Sequence, residues 1–287
     1  MPRARAPLAS GALRQNGDGM PEIVLSALHL YPLKSAGGVE LRTARLDARG
    51  ITGDRRWMVV DAGRMFITQR THPRLALIRV APGAGGLTLS ARGTAPLEVP
   101  APPATGRRVE VQVWDDICCC LWAGDAAAAW LSELLGEDVG LVFMPDDEVR
   151  IAPAVGVAPA SPVGLADSHP FLLISEASLE DLNARMAAPV PMNRFRPNLV
   201  VRGCAPYAED GWRRIRIGAI DFTSAKPCSR CTTTIVDQDS GVRGRDPLAT
   251  LARYRRVGRE VMFGQKLVHL ATGELRVGDA VTVLETV

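Results

Sequence analysis

Residues 226–239 read Lys226-Pro227-Cys228-Ser229-Arg230-Cys231-Thr232-Thr233-Thr234-Ile235-Val236-Asp237-Gln238-Asp239. Two thiols three residues apart suggest metal or redox chemistry. A thioredoxin-like pair would open a helix, whose dipole lowers the thiol pKa. Here a β-branched run follows at once, which predicts a strand over 231–236 and a β-rich fold. Tetrahedral zinc would need a second ligand pair at matching spacing. No second Cys-x-x-Cys exists, and His29, His72, His169 and His269 are scattered. One thiolate on a soft metal whose other ligands come from a cofactor fits better. Two cysteines on an ordinary turn remain the plain alternative.

Working outward, the rest of the chain repeats the β signal. Strands are expected over 22–31, 39–47, 56–61, 63–70, 74–81, 85–100 and 107–114, divided by turn residues such as Gly50 to Gly53. Short strands at this spacing indicate a barrel or sandwich. A helix is expected over 125–136, with Asp125 as N-cap and Gly136 as its stop. Residues 145–168, rich in Pro, Ala, Gly and Asp, read as a linker or long loop. A second helix is expected over 176–187 behind Ser175. Strands over 198–203, 213–223, 266–270 and 280–285, with a short helix near 247–256, complete a chain that is mainly β with some α.

The chain of 287 residues suits one large or two modest domains. Hydrophobic residues at 47% and charged residues at 23% are those of a folded protein. A net charge of +3 gives no ground for nucleic-acid binding. No run of 18 apolar residues suggests a transmembrane helix. Three adjacent cysteines among six do not resemble a secreted disulfide framework, so a reducing, cytoplasmic location is expected. Residues 1–20 carry Arg3, Arg5 and Arg14 and no acid before Asp18. Pro7 and Gly11 would break a transit helix, so a disordered extension is expected, with Met20 an alternative start.

Only three of the 34 bases are lysines: Lys34, Lys226 and Lys266. Where arginine is the default, a lysine suggests need of a compact ammonium. Lys34 stands in Tyr31-Pro32-Leu33-Lys34-Ser35, ahead of Gly37-Gly38. Ammonium, hydroxyl and backbone amides there could converge on an anion, though an exposed lysine on a turn reads as well. Arg55 and Arg56, after Gly53-Asp54, could grip phosphate or simply pair with Asp54. In Asn193-Arg194-Phe195-Arg196-Pro197-Asn198, Pro197 is expected to keep Arg196 extended. Each motif alone is weak; together they describe a phosphorylated organic cofactor that carries a soft metal.

These motifs make the chain resemble the MOSC-domain family, and within it the amidoxime-reducing component and its bacterial relatives. The resemblance rests on Tyr31 to Ser35, Gly53 to Trp57, Arg196 to Asn198 and Cys228 to Cys231, supported by Ser175 to Leu179, Tyr207 to Asp210 and Val277 to Asp279. It spans about residues 22–286. It implies an N-terminal β-barrel domain over 21–145 and a MOSC β-barrel domain with peripheral helices over 146–287, to which N-terminal strands contribute. It implies a molybdenum-pterin cofactor, with Cys231 as metal ligand and catalytic residue. Cofactor contacts are implied for Lys34, Ser35, Arg55, Ser168, His169, Arg196, Asn198, Ser229 and Arg230. His169 departs from the small hydroxyl residue expected there. Cys228 is left a structural role, and Cys118 to Cys120 a packing role. The resemblance further implies, for the family as a whole, pyridoxal phosphate binding. The implied activity is molybdenum-dependent reduction of small N-hydroxylated compounds to amine-type products. A cofactor carrier or sulfur-transfer role is the alternative, and a noncatalytic anion-binding barrel a more distant one. No plant-type Cys-x4-Cys-x2-Cys run occurs, so electrons are expected from a separate ferredoxin or flavoprotein reductase.

Overall fold

The computed structural model describes residues 22–83 and 85–287. The expected extension over 1–20 lies outside them. Strands make up 43% of the chain and helices 15%, so the mainly β reading is the observed class. Among the described residues no helix is long and apolar enough to cross a membrane.

One nine-stranded sheet dominates. Its order runs Val39–Leu41, Val24–Leu30, Leu199–Arg202, Phe171–Ser175, Glu260–His269, Ile220–Ser229, Trp212–Ile217 and Val281–Thr286, with Arg256–Val257 beside Glu260–His269. The first strands of the chain thus pair with strands far along it. Phe171–Ser175 and Leu199–Arg202 are parallel, which requires a crossover; helix Glu176–Ala184 lies in it. Ser175 caps that helix, its side chain accepting from the Ser178 amide at 3.1 Å. Phe171 and Phe222 meet edge to face at 5.3 Å in the sheet's core. A second sheet orders Trp57–Asp61, Val139–Phe143, Asp116–Trp122 and Arg108–Val113, and a third joins Arg79–Gly83, Gly86–Ser90 and Leu97–Pro100.

Several expectations change. Residues 63–70 form no strand, only single bridges at Met65 and Phe66, while residues 74–81 split into the 3-10 turn Pro73–Leu77 and the start of Arg79–Gly83. Helix Asp125–Leu135 has Gly124, not Asp125, at its N-cap; the Asp125 carboxylate accepts from the Trp122 indole instead. The supposed linker contains a small hairpin, Arg150–Ala152 with Ser161–Val163. Cys118 and Cys120 point into a core and Cys119 is half-buried, the alternation of an ordinary strand. Burial pushes the Cys118 thiol up to about 11 and Cys120 further in the same direction.

The deciding stretch is itself corrected. The strand runs through the first cysteine, as Ile220–Ser229, and ends before Cys231, while Thr232–Ile235 is a 3-10 turn. The threonines compete through their hydroxyls: Thr234 Oγ1 donates to the Cys231 carbonyl at 3.0 Å, beside the Thr234 amide at 3.2 Å.

Candidate functional site

The strand Ile220–Ser229 slips register twice against Glu260–His269, at Ser224/Lys226 and at Pro227/Ser229. Pro227 cannot donate to the ladder, and such irregularities re-aim the side chains that follow. Cys228, Ser229, Arg230 and Cys231 are thereby turned into a cleft of about 840 Å³, including its solvent mouth. Pockets of this size hold organic cofactors and their substrates.

All ten residues singled out from sequence line this one cleft: Lys34, Ser35, Arg55, Ser168, His169, Arg196, Asn198, Ser229, Arg230 and Cys231. Three of them, Ser35, Arg55 and Arg196, hold left-handed φ values of 68°, 46° and 58°. That conformation costs energy in residues other than glycine and collects at functional sites. Arg196 is therefore not extended before Pro197. Its Nη1 donates to the Ala36 carbonyl, and its guanidinium lies 4.3 Å from the Tyr31 ring centroid, contacts that hold the turned backbone.

Tyr31 is the pillar of this wall. It is 2% exposed, donates from its hydroxyl to the Pro197 carbonyl at 3.1 Å, and also underlies Arg55 at 4.6 Å. Burial pushes its phenol up to about 12. Asp54 ties the wall together: it accepts from the Tyr31 amide at 2.9 Å, Arg55 Nη1 at 2.5 Å and Asn198 Nδ2 at 3.1 Å. The Asn198 side-chain oxygen in turn accepts from Arg55 at 3.0 Å.

Not every residue of the motifs faces the cleft. Arg56 donates to the Met144 carbonyl and Asp146, away from it. Arg194 bonds the Thr234 carbonyl and Asp237, tying its loop to the cysteine turn. Gly38 serves packing rather than anion binding, since a Cβ there would stand 2.5 Å from the Tyr31 ring.

The electrostatics are one-sided. Lys34, Arg55, Arg70, Arg196, Arg230 and Lys266 line the cleft with a single acid, Asp167. Lys34 is 4% exposed and donates to Asp167 and, at 2.8 Å, to the Leu165 carbonyl. Burial works to raise the Asp167 carboxyl, but Lys34, Arg70 and Lys266 outweigh it and hold it well below the carboxylate range. Burial lowers Arg196 to about 10. Arg196 Nη2, Arg230 Nε and His169 Nε2 are buried without a partner among the described residues. Unpaired buried donors are costly, so an acceptor at Arg196 and Arg230 would complete the cleft.

Cys228 is 6% exposed, and its sulfur accepts from Arg230 Nη1 at 3.0 Å. It thus holds a cleft arginine, whereas Cys231 is half-buried and makes one side-chain hydrogen bond, to Thr233 Oγ1 at 3.4 Å. Arg70, Asp167, Thr233 and Lys266 also line the cleft without having been singled out as contacts. For Lys266 the scarcity of lysine was the available signal. Thr233 and Asp167 are chain neighbours of Cys231 and Ser168, whereas Arg70 comes from a distant segment with no motif of its own.

Burial holds His29, His169 and His269 below the usual imidazole value. For His169, Lys266 and Lys226 add to burial and bring it from 6.5 to about 4. The unfolded chain then binds the proton more readily than the folded one. The contribution to stability is complete above about pH 6.5 and is lost as pH falls towards 4. Urea unfolding should show a loss on the order of 2 kcal/mol over that window that His169→Gln removes. An equal loss in the variant would refute the assignment.

Comparison with known proteins places the site in context. Residues 22–138 match the MOSC N-terminal beta barrel domain and residues 160–282 the MOSC domain. The chain is 35% identical to human mitochondrial amidoxime-reducing component 1 over 91% of its length and 82% of that protein's. The mouse protein of the same name is 36% identical, with the same coverage. Molybdenum cofactor sulfurase from rice is 33% identical over 85% of this chain and 32% of its own length.

Proposed function

Because the chain belongs to the MOSC-domain family, we propose that it binds a molybdenum-pterin cofactor and reduces small N-hydroxylated compounds, such as amidoximes, hydroxylamines and N-oxides, to amine-type products. The observation that carries this reading is the cleft itself: ten motif residues converge there, with partnerless buried donors on Arg196 and Arg230. An anionic phosphate-bearing pterin supplies the missing acceptors.

Arg55, Arg196 and Arg230 would hold the cofactor's anionic groups, with Ser35, Ser168, Ser229 and Asn198 as polar contacts and Lys34 as a fixed positive charge. Among the described residues no three His, Cys, Asp or Glu side chains are grouped to hold a metal ion. Cys231 would be the protein ligand, a soft sulfur suited to a metal whose other ligands come from a dithiolene. When bound, the molybdenum centre supplies the two-electron chemistry that removes oxygen from an N–OH group. His169, neutral at pH 7, could accept or relay a proton at its partnerless Nε2. The electrons would come from a separate donor protein.

Pyridoxal phosphate would need a free amine for its imine; Lys34 is held by Asp167 and the Leu165 carbonyl, which leaves Lys266 as the other lysine lining the cleft. The likeness to the rice sulfurase favours sulfur transfer as a second reading. Protein purified from a host that makes the cofactor should contain molybdenum and pterin and reduce benzamidoxime with a chemical reductant. Protein with no N-reduction and a persulfide on a cysteine, without bound molybdenum, would replace the first reading by the second.

A further inference from the structure

The cleft carries more positive charge than the proposed cofactor contacts use. With those contacts assigned, Arg70 and Lys266 remain. Among the described residues neither forms an ion pair with an acid at hydrogen-bonding range. Arg70 donates from Nε to Thr68 Oγ1 at 3.2 Å, which leaves both terminal Nη groups free. Lys266 Nζ meets only Ser168 Oγ. Both residues are half-buried; Arg70 lies over Trp114, whose indole donates to Asp167, and Lys266 meets Ser168, the next residue, which places both around one part of the cleft.

The wall beside Arg70 is aromatic. Its guanidinium lies 4.3 Å from the Trp114 ring centroid and 6.0 Å from that of Phe66, and the two rings are 5.1 Å apart. Trp114 sits at the tip of the hairpin joining Arg108–Val113 to Asp116–Trp122, with a left-handed φ of 57°. Its indole donates to Asp167 at 3.3 Å, and Gln112 Nε2 donates to its carbonyl at 2.9 Å. The hairpin therefore holds a bulky residue in a strained conformation, 38% exposed, against the cleft. A guanidinium stacked on a ring is fixed in its plane, and its free edge suits a carboxylate in a two-point grip. Trp114, partly exposed, offers aromatic surface beside Asp167 for a planar group.

We propose that Arg70 and Lys266 form a substrate subsite for a carboxylate, so that the protein prefers planar N-hydroxylated compounds bearing an acidic group over neutral ones. This rests on the N-reduction reading and assigns the specificity element to the N-terminal part of the chain, which supplies Arg70 and Trp114. The subsite binds; it adds no step to the reaction.

The test compares benzamidoxime with 4-carboxybenzamidoxime on the metal-loaded protein. The carboxylated probe should show a kcat/KM about tenfold higher, the size of one charge-assisted contact, carried mainly by KM. The preference should shrink with added salt. Arg70→Ala and Lys266→Gln should each reduce the ratio several-fold, and Arg70→Lys should restore part of it. Calorimetric titration with 4-carboxybenzamidine and benzamidine, product-type ligands that need no turnover, should give the same ordering. Equal kcat/KM for the two probes in the wild type overturns the subsite while leaving N-reduction intact. Tighter binding of the carboxylated ligand without turnover of either probe keeps the subsite and removes the N-reduction reading. Loss of pterin from Arg70→Ala, with both probes affected alike, makes Arg70 a cofactor contact and also overturns the proposal.

Discussion

Cys231→Ala should leave the fold standing and strip the protein of molybdenum. The side chain is half-buried and outside every hydrophobic core cluster, with one side-chain hydrogen bond, to Thr233 Oγ1 at 3.4 Å. Its removal forfeits little packing, so the unfolding midpoint in urea should barely move. The metal, by contrast, would lose its protein ligand. Changes outside the ligand shell cost roughly 10–100-fold in metal affinity, and loss of the ligand itself should exceed that. Pterin should persist in part, because the arginines that would hold its anionic groups are untouched. Cys228→Ala makes the contrast. That sulfur accepts from Arg230, so its loss should loosen the arginine and weaken pterin retention while sparing the metal-to-pterin ratio. Metal and pterin analysis of the two variants reads both effects. A Cys231→Ala protein with its full complement of molybdenum would end the ligand assignment.

The contrast between the two cysteines was only half legible in the sequence. Spacing set Cys228 and Cys231 apart from the zinc and disulfide patterns, and the arginine between them pointed to an anion. The β-branched run after them misled, because threonine is both a strand former and a backbone competitor. In a tight turn the hydroxyl of Thr234 decides for the 3-10 form. Pro197 misled in the same way. A rule about the residue before proline is local, and Arg196 is set by Tyr31 and the Ala36 carbonyl, 165 and 160 positions away in the chain. The strand Asp116–Trp122 was not expected, and two of its three cysteines fill a core. Motif loops were readable because each concentrates its chemistry within a few residues. Arg70 and Lys266 reach the cleft, and Trp114 its residues Asp167 and Arg70, through strand pairing and hairpin placement, which no short window contains.

Asp54→Ala should be among the most damaging single changes in the protein, although Asp54 is not among the residues lining the cleft. Its carboxylate is buried and accepts from three donors: the Tyr31 amide, Arg55 and Asn198. Alanine leaves the Arg55 guanidinium beside the Tyr31 ring without its counter-charge, and two further donors without acceptors. Removing one partner of a buried ion pair typically costs about 3–5 kcal/mol. Asp146→Ala gives the measure of an ordinary pair. Asp146 also accepts from an arginine, Arg56 at 2.8 Å, but its side chain is 94% exposed and its loss should cost less than about 1 kcal/mol. Urea unfolding of both variants should therefore separate them several-fold. The same Asp54 change should lower pterin occupancy, because Arg55 holds its left-handed backbone at φ 46° between Asp54 and Tyr31. Asp54→Asn keeps the shape and one acceptor, so it should fall between wild type and alanine in both measurements. If Asp54→Ala proves as mild as Asp146→Ala, the carboxylate is not what keeps Arg55 and Asn198 in register, and the wall of the cleft is held by Tyr31 alone.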